Sequence, residues 1–273
     1  MNNFKILFTY FFLFALLFSM WGCDLRLRPN EEDTTTESFE VKRYDRLQSL
    51  YLQTGDYSAL QQMNTTYPIE TRTLIENVLQ LGSVDDPDIN SKFLIFYQDT
   101  TLQAVIKEAE TLYADMDDLN QQFQFAFDKL QTFFPDFQVP MVYAQIGALD
   151  QSVVVGNNTV GISLDKYLGA DFRVYKRFYS EQQRESMTRE YILPDCLLFY
   201  LISLYPLSDF ENRDQADRDL HMAKAMWVVN SVLQKKIFNT QSILTVEKYM
   251  HKHPSTTMEK LLKEDHLDEM KKL

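Results

Sequence analysis

The first 23 residues restrict what this chain can become more than any other segment does. Lys5 is the only charged residue before Asp24, and residues 6–21 are uncharged and almost entirely apolar. As a helix, this run would extend about 24 Å, which is shorter than the ~30 Å hydrocarbon core of a bilayer. It therefore has the size of the apolar core of a secretory signal peptide rather than that of a transmembrane span.

This apolar run ends at Met20-Trp21-Gly22-Cys23. A small residue followed by cysteine, just past an apolar core, is typical of a bacterial lipoprotein, whose cysteine thiol accepts a diacylglyceryl group before cleavage. Met20 stands where Leu is usual and Trp21 where a small residue is commoner, so an uncleaved N-terminal anchor is the alternative interpretation. We predict a signal peptide over residues 1–22 and acyl chains on Cys23 that hold the protein in a lipid bilayer. The expected location is the outer membrane, facing the periplasm.

The segment that follows Cys23 is polar, acidic and rich in threonine. Such a composition offers too little apolar surface to offset the entropy cost of folding. We predict a lipidated flexible tether over residues 23–38. The remaining residues, 39–273, have the length of a single domain.

The overall composition restricts both the fold and the partners. Hydrophobic residues make up 45% of the chain, enough for a packed core, and only 7 Gly and 8 Pro argue against a fold of many strands and loops. Asp and Glu outnumber Lys and Arg by 39 to 27, for a net charge of −12. Because such a surface repels phosphate backbones, we expect no nucleic-acid partner.

Apolar residues at helical spacing dominate the chain on both sides of a β-prone middle. The predicted helices cover residues 39–53, 71–81, 91–97, 102–134 (two helices that meet at Asp117-Asp118), 187–204, 214–238, 241–251 and 256–263. Pro194 is expected to kink the helix 187–204 or to mark the start of its main part. Residues 139–164 predict a small antiparallel sheet of about three strands, with a hairpin turn at Gly156-Asn157-Asn158. The predicted class is α+β, mostly helical, with helices around this sheet.

The residue types used in catalysis form no complete motif. The four histidines include no His-Glu-x-x-His pair, and Ser163 lacks the second glycine of a nucleophile elbow. Cys196 stands in an apolar stretch and is predicted to be a buried core residue. These residues alone therefore predict no catalytic group, metal or cofactor.

Two groups of side chains leave alternatives open. Glu190 and Asp195 lie on the predicted helix 187–204, where structural ion pairs or an acid–base pair are the two interpretations. Aromatic residues between 167 and 179 alternate with basic ones, which predicts either core packing or a partner-binding surface. The aromatic residues are Tyr167, Phe172, Tyr175, Phe178 and Tyr179, and the basic ones are Arg173, Lys176 and Arg177.

Several stretches in the middle of the chain resemble one known family. They are Phe134-Pro135-Asp136, Gly156-Asn157-Asn158, residues 161–171 (Gly-Ile-Ser-Leu-Asp-Lys-Tyr-Leu-Gly-Ala-Asp), Tyr175 and residues 187–195 (Met-Thr-Arg-Glu-Tyr-Ile-Leu-Pro-Asp). These residues resemble the gliding motility-associated lipoprotein family GldB. The resemblance implies a cell-envelope lipoprotein linked to gliding or to related envelope machinery, with envelope proteins as partners. Within these stretches, Asp165, Tyr167, Asp171 and Tyr175 form a candidate binding surface.

That family is distantly similar to zinc metallopeptidases, which place His-Glu-x-x-His on a buried helix after a small sheet. On this comparison Glu190 matches the glutamate, whereas Arg189 and Leu193 replace both histidines. A guanidinium is cationic and a leucine side chain has no donor atom, so neither binds zinc. The resemblance therefore implies a degenerate zincin-like metallopeptidase scaffold without metal, on which Arg189, Glu190, Leu193 and Asp195 occupy the positions of the lost site.

Three functions follow in order of preference. The first is a non-enzymatic lipoprotein that acts through protein–protein contacts. The second is a peptide- or glycan-binding pocket near Glu190 and residues 159–164, and the third is a hydrolase that uses carboxylates.

Overall fold

Helices surround a small sheet in the computed structural model of the protein, which describes residues 38–273. Before the sheet the chain forms α1 (Tyr44–Thr54), α2 (Tyr57–Thr66), α3 (Pro68–Arg72, continued by a π-helix at Thr73–Val78), α4 (Ile89–Phe96), α5 (Thr100–Leu112) and α6 (Asp117–Phe133). The strands are β1 (Met141–Gln145), β2 (Val153–Gly156) and β3 (Thr159–Ser163). After the sheet come α7 (Tyr175–Phe178), α8 (Glu181–Arg184), α9 (Ile192–Leu204), α10 (Gln215–Leu233), α11 (Gln241–Lys252) and α12 (Met258–Lys263). The predicted α+β, mostly helical class is confirmed.

The sheet has the strand order β1-β3-β2, and its predicted antiparallel arrangement is wrong for one of the two pairings. β2 and β3 form the expected antiparallel hairpin, whereas β1 and β3 are parallel. The loop over residues 146–152 takes the chain past β3 to its far side, so β3 returns beside β1 in the same direction. Residue alternation identifies a strand and its buried face but does not give the direction of the neighbouring strand.

The N-terminal residues of the described chain extend this sheet on the β1 side. Lys42 forms an isolated parallel bridge with Tyr143: its N–H donates to the carbonyl of Val142 at 2.8 Å, and its carbonyl accepts from Ala144 at 2.9 Å. Because residue 42 is extended, the helix predicted from residue 39 begins only at Tyr44. The entry of the chain into the fold is therefore fixed by backbone hydrogen bonds to β1.

Most of the predicted helices are present, and the predicted break at Asp117-Asp118 is confirmed, since α5 ends at Leu112 and α6 begins at Asp117. Helix α2 was missed, although Asp56 caps it by accepting hydrogen bonds from the N–H groups of Ser58 and Ala59. This capping pattern was the available signal.

Helix α9 is buried against the sheet and α10, as its apolar sequence predicted. Pro194 is its third residue, in the first turn, where the missing N–H breaks no helical hydrogen bond. It therefore marks the start of the helix, one of the two predicted outcomes. Arg189 and Glu190 precede α9 in a 3₁₀ turn, Arg189–Tyr191.

The predicted signal peptide over residues 1–22, Cys23 and the tether up to residue 37 lie outside the described residues. No helix within residues 38–273 has the length and apolarity that crossing a bilayer requires.

Candidate functional site

The predicted site residues separate into two places, a surface cavity beside α6 and a buried polar network beneath the sheet. The cavity has a volume of about 620 Å³ and includes three of the four residues that the sequence analysis predicted for a degenerate site, Arg189, Glu190 and Leu193. Its other lining residues come from α6, α9, the end of α10 and the segment after it: Asp118, Leu119, Gln121, Gln122, Phe125, Pro194, Leu233, Lys235 and Ile237.

The guanidinium of Arg189 is fully engaged in holding the ends of α5 and α6 against the 3₁₀ turn. It donates to both carboxylate oxygens of Asp118, at 2.5 and 3.1 Å, and to the carbonyls of Leu112 at 3.0 Å and Asp115 at 2.8 Å. It also lies 4.9 Å from the ring centre of Tyr113. A bidentate carboxylate pair, one carbonyl at the end of α5 and one in the loop before α6 suit the planar fork of arginine and not a histidine ring. This pairing also holds the pKa of the Asp118 carboxyl below its usual range.

The two other cavity positions offer little chemistry of their own. Leu193 is buried, 4% exposed, and its side chain has no polar atom. Glu190 is exposed and forms no hydrogen bond or ion pair within residues 38–273. In the same part of the chain, no group of three or more His, Cys, Asp or Glu side chains is placed to hold a metal.

The buried network is centred on Asp165, whose side chain is completely excluded from solvent. Its two carboxylate oxygens accept hydrogen bonds from the N–H groups of Gly147 at 2.6 Å and Leu149 at 2.7 Å. Burial raises the pKa of this carboxyl, and the two amides oppose that rise. The carboxylate thus satisfies the polar backbone of the loop that leaves β1.

Residues that the sequence analysis missed complete the support of this loop. Tyr97 donates its hydroxyl to the carbonyl of Ile146 at 2.6 Å. Gln48 donates to the same carbonyl at 2.6 Å and accepts from the N–H of Ile146 at 2.8 Å. Gln48 lies on α1 and Tyr97 directly follows α4, both far away in sequence. Only the unusual buried glutamine on an amphipathic helix could have indicated this support.

The candidate binding surface does not form one exposed patch. Three of its residues are buried: Tyr167 is 1% exposed, and Tyr175 and Asp165 are 0% exposed. Asp171, in contrast, is exposed, and its carboxylate pairs with the ammonium of Lys176 at 3.0 Å. Tyr175 donates to the backbone carbonyl of Asp165 and accepts from the N–H of Leu168 at 2.9 Å. Of the aromatic group between residues 167 and 179, Phe178 is the exposed member, at 57%. Core packing therefore accounts for most of this group.

Asp195, the fourth residue predicted for a degenerate site, is half-buried and contacts the buried network rather than the cavity. Its carboxylate accepts a hydrogen bond from the hydroxyl of Tyr167 at 2.8 Å. Burial raises the pKa of Asp195 to about 6, although the bond from Tyr167 opposes the rise. The structure therefore does not bring Glu190 and Asp195 together in the cavity. The neighbouring Cys196 is buried, 2% exposed, as predicted.

Residues 26–240, well over half of the chain, match the family described as gliding motility protein GldB. The chain belongs to the GldB family. The matched range includes residues 161–171, which contribute to β3 and to the buried network. It also includes the 3₁₀ turn of Arg189. Membership in this GldB lipoprotein family indicates a membrane-anchored location in the cell envelope. No curated protein and no solved structure matches the chain.

In this GldB-family chain, the buried residues of segment 161–171 therefore stabilise the fold. Gly161, Asp165 and Tyr167 lie inside the fold, where they fix β3 and the loop from β1. The cavity beside α6 lies outside this buried segment.

Proposed function

We propose that this GldB-family chain is a lipid-anchored envelope protein that acts through contacts with other proteins and catalyses no reaction. Its partners belong to gliding machinery or to related envelope and secretion machinery. The anchor is the acylated Cys23 that remains after removal of residues 1–22, and the folded body faces the periplasm from the outer membrane.

The observation that best supports this proposal is that the side chain of Arg189 holds helices of the fold together. On the zincin-like comparison, Arg189 and Leu193 occupy the positions of the metal ligands. The guanidinium is committed to Asp118 and to two carbonyls, and Leu193 packs in the core. A scaffold that uses these positions for stability is suited to presenting surfaces to partners.

Copurification from the native membrane tests the proposal. The tagged full-length protein is expressed from its own locus, crosslinked mildly in cells and purified from membranes, and its partners are identified by mass spectrometry. We expect the same envelope proteins in repeated preparations, and their loss from a Cys23→Ala variant that is expressed at the same level. Recovery of no envelope protein, or of an identical set without the anchor, contradicts the proposal.

The cavity beside α6 supports a second candidate, a pocket for a peptide or glycan. Its volume of about 620 Å³ suits a small ligand, Phe125 offers an aromatic face that is 47% exposed, and Glu190 offers an exposed carboxylate. Soluble peptidoglycan fragments are the probe, since they contain both sugars and peptide. Binding that Phe125→Ala weakens and the exposed control Phe178→Ala does not would support the pocket, and absence of binding would eliminate it.

The carboxylate hydrolase is the weakest candidate, because Glu190 and Asp195 face different places. A deletion strain complemented fully by the Glu190→Gln and Asp195→Asn variants would remove it.

A further inference from the structure

The outer edge of β2 is a row of backbone groups that have no partner in the described chain. β2 is the last strand of the order β1-β3-β2, and its pairs with β3 include Val153↔Ile162 and Val154↔Gly161. The N–H of Ser163 donates to the carbonyl of Ser152 at 3.0 Å, which identifies 152 and 163 as a hydrogen-bonded pair. Because such pairs alternate along an antiparallel ladder, Val154 points its N–H and C=O toward β3, whereas Val153 and Val155 point theirs outward.

The edge strand β2 is only four residues long, but it lacks the other features that usually protect an edge strand. Residues 151–158 contain no proline and no charged side chain, and β2 pairs with β3 residue for residue, without a bulge. Val153, Val154 and Val155 are only partly buried, whereas the residues of β3 after Thr159 are buried. The opposite edge of the sheet differs, since Lys42 pairs with β1 there. Within residues 38–273, Lys42 thus covers part of one edge and no strand pairs with the other.

We propose that the β2 edge binds an extended segment of another protein, which adds a further strand to the sheet. Outward N–H and C=O groups that recur every second residue are complementary to an extended backbone and to no small ligand. The partner segment is apolar at alternate residues, to match the valines, and carries a basic residue near one end, to meet the exposed Asp150 just before the strand. This proposal rests on the proposed function and names the kind of partner.

Charge argues against a second copy of this chain as the occupant. Each copy has a net charge of −12, and pairing two β2 edges would bring two such acidic bodies together. Repulsion between like charges disfavours that arrangement and favours a basic partner.

A designed strand peptide tests the proposal on the full-length protein in detergent. The probe is the labelled peptide Lys-Val-Thr-Val-Thr-Val-Lys, and its control is the same peptide N-methylated at its three central residues, which can no longer form a ladder. We expect only the unmethylated probe to bind. At a probe concentration ten times its Kd, the backbone amides of Val153 and Val155 should exchange with solvent about tenfold more slowly.

Two variants of one residue separate the backbone from the side chain. Val155→Pro removes an outward N–H and leaves the hydrogen bonds to β3, whereas Val155→Thr keeps both. We expect Val155→Pro to weaken probe binding about tenfold and Val155→Thr to leave it nearly unchanged. If Val155→Pro does not fold, comparing the binding of the unmethylated and the N-methylated peptide to wild type still tests whether backbone hydrogen bonds hold the probe.

Several outcomes overturn the proposal: no probe binding at millimolar concentration, equal binding of the methylated peptide, or protection that spares residues 153 and 155. A dimer whose amides at 153 and 155 are protected before the probe is added would make a second copy the occupant instead. If envelope partners crosslink equally well to wild type and to Val155→Pro, the protein-contact function stands and the β2 edge is not its site.

Discussion

Residue 161 lies where two strands of the sheet leave no room for a side chain. A Cβ on Gly161 would come within 2.6 Å of both Cζ and Oη of Tyr143, its partner in the β1–β3 register. Tyr143 is itself buried, 2% exposed, so its ring cannot move into solvent. The glycine therefore lets an aromatic ring cover the middle of β3.

Gly161→Ala should destabilise the fold by about 1 to 3 kcal/mol, because the added methyl forces the tyrosine or the strand to shift. Denaturant unfolding measures this loss. In a Tyr143→Leu background the same substitution should cost clearly less, since the ring that it meets is gone. An equal cost in both backgrounds would show that the close contact is not the cause.

Asp195 makes stability depend on pH in mild acid. Burial raises its pKa to about 6, above the 3.8 of an unperturbed aspartate. The folded state therefore holds this proton more tightly than the unfolded chain does. The resulting stabilisation is complete below about pH 4 and is lost as the pH rises through about 6.

Asp195→Asn should remove this dependence and keep the acceptor for Tyr167. We expect the variant to match wild type near pH 4 and to exceed its free energy of unfolding by about 1 to 3 kcal/mol above pH 7. Urea unfolding at several pH values measures the difference. The exposed Asp268→Asn variant is the control and should show no such trend; a parallel pH profile for Asp195→Asn would refute the assignment.

At the scale of the elements, Arg189 joins α5 and α6 to the 3₁₀ turn before α9. Its hydrogen bonds run to the C-terminal end of α5, to the loop before α6 and to the first turn of α6, 71 to 77 residues earlier in the chain. Arg189 thus satisfies a carbonyl at the end of α5 that has no partner within the helix, and it pairs with an acidic residue in the first turn of α6. The relative placement of α5, α6 and the turn before α9 depends on it.

Arg189→Ala should cost about 1 to 3 kcal/mol of stability, since it leaves two carbonyls and one carboxylate without their donor. Arg189→Lys should recover less than half of the loss, because an ammonium cannot reproduce the bidentate fork. Thermal and denaturant unfolding provide the measurement, with the exposed Arg173→Ala as the control. Full recovery by lysine would mean that charge alone matters at this position.

The sequence predicted those elements whose signal is local. Apolar residues at helical spacing predicted α6, namely Leu119, Phe123, Ala126 and Leu130. The turn residues Asn157-Asn158 predicted the hairpin of β2 and β3. The direction of β1 relative to β3 and the pairing of Arg189 with Asp118 depend on contacts between distant segments. Periodicity contains no information about such contacts, so the sheet was predicted antiparallel and Arg189 was interpreted only as a lost ligand.

At the scale of the whole molecule, the C-terminal segment packs on α10 around a buried lysine. Lys224 is completely excluded from solvent, and its ammonium donates to the carbonyls of Leu262 and Glu264, where α12 ends. Burial lowers the pKa of Lys224 to about 8; Asp265 and Glu264 oppose that change, and Arg213 adds to it. Lys271 strengthens the same packing by pairing with Asp217 at 2.6 Å.

Comparing the free energy of unfolding of wild type and Lys224→Met at alkaline pH should reveal the cost of burying the ammonium of Lys224. The folded-state pKa of about 8 lies below the 10.5 of an unperturbed lysine, so the unfolded chain binds more protons between these values. Wild-type stability should therefore rise relative to Lys224→Met by about 1 to 3 kcal/mol from pH 7.5 to pH 10. The exposed Lys252→Met variant should run parallel to wild type. A constant difference between wild type and Lys224→Met would contradict the buried-ammonium explanation.

The protein-contact function requires that the folded body be held at a membrane by its N-terminal cysteine. Intact-mass and N-terminal peptide mass spectrometry of the protein, extracted from the membranes of its own bacterium, tests this most directly. The expected result is a chain that begins at Cys23 and bears a diacylglyceryl thioether on that sulfur. A chain that still begins at Met1, with a free Cys23 thiol and recovered from the soluble fraction, would contradict it.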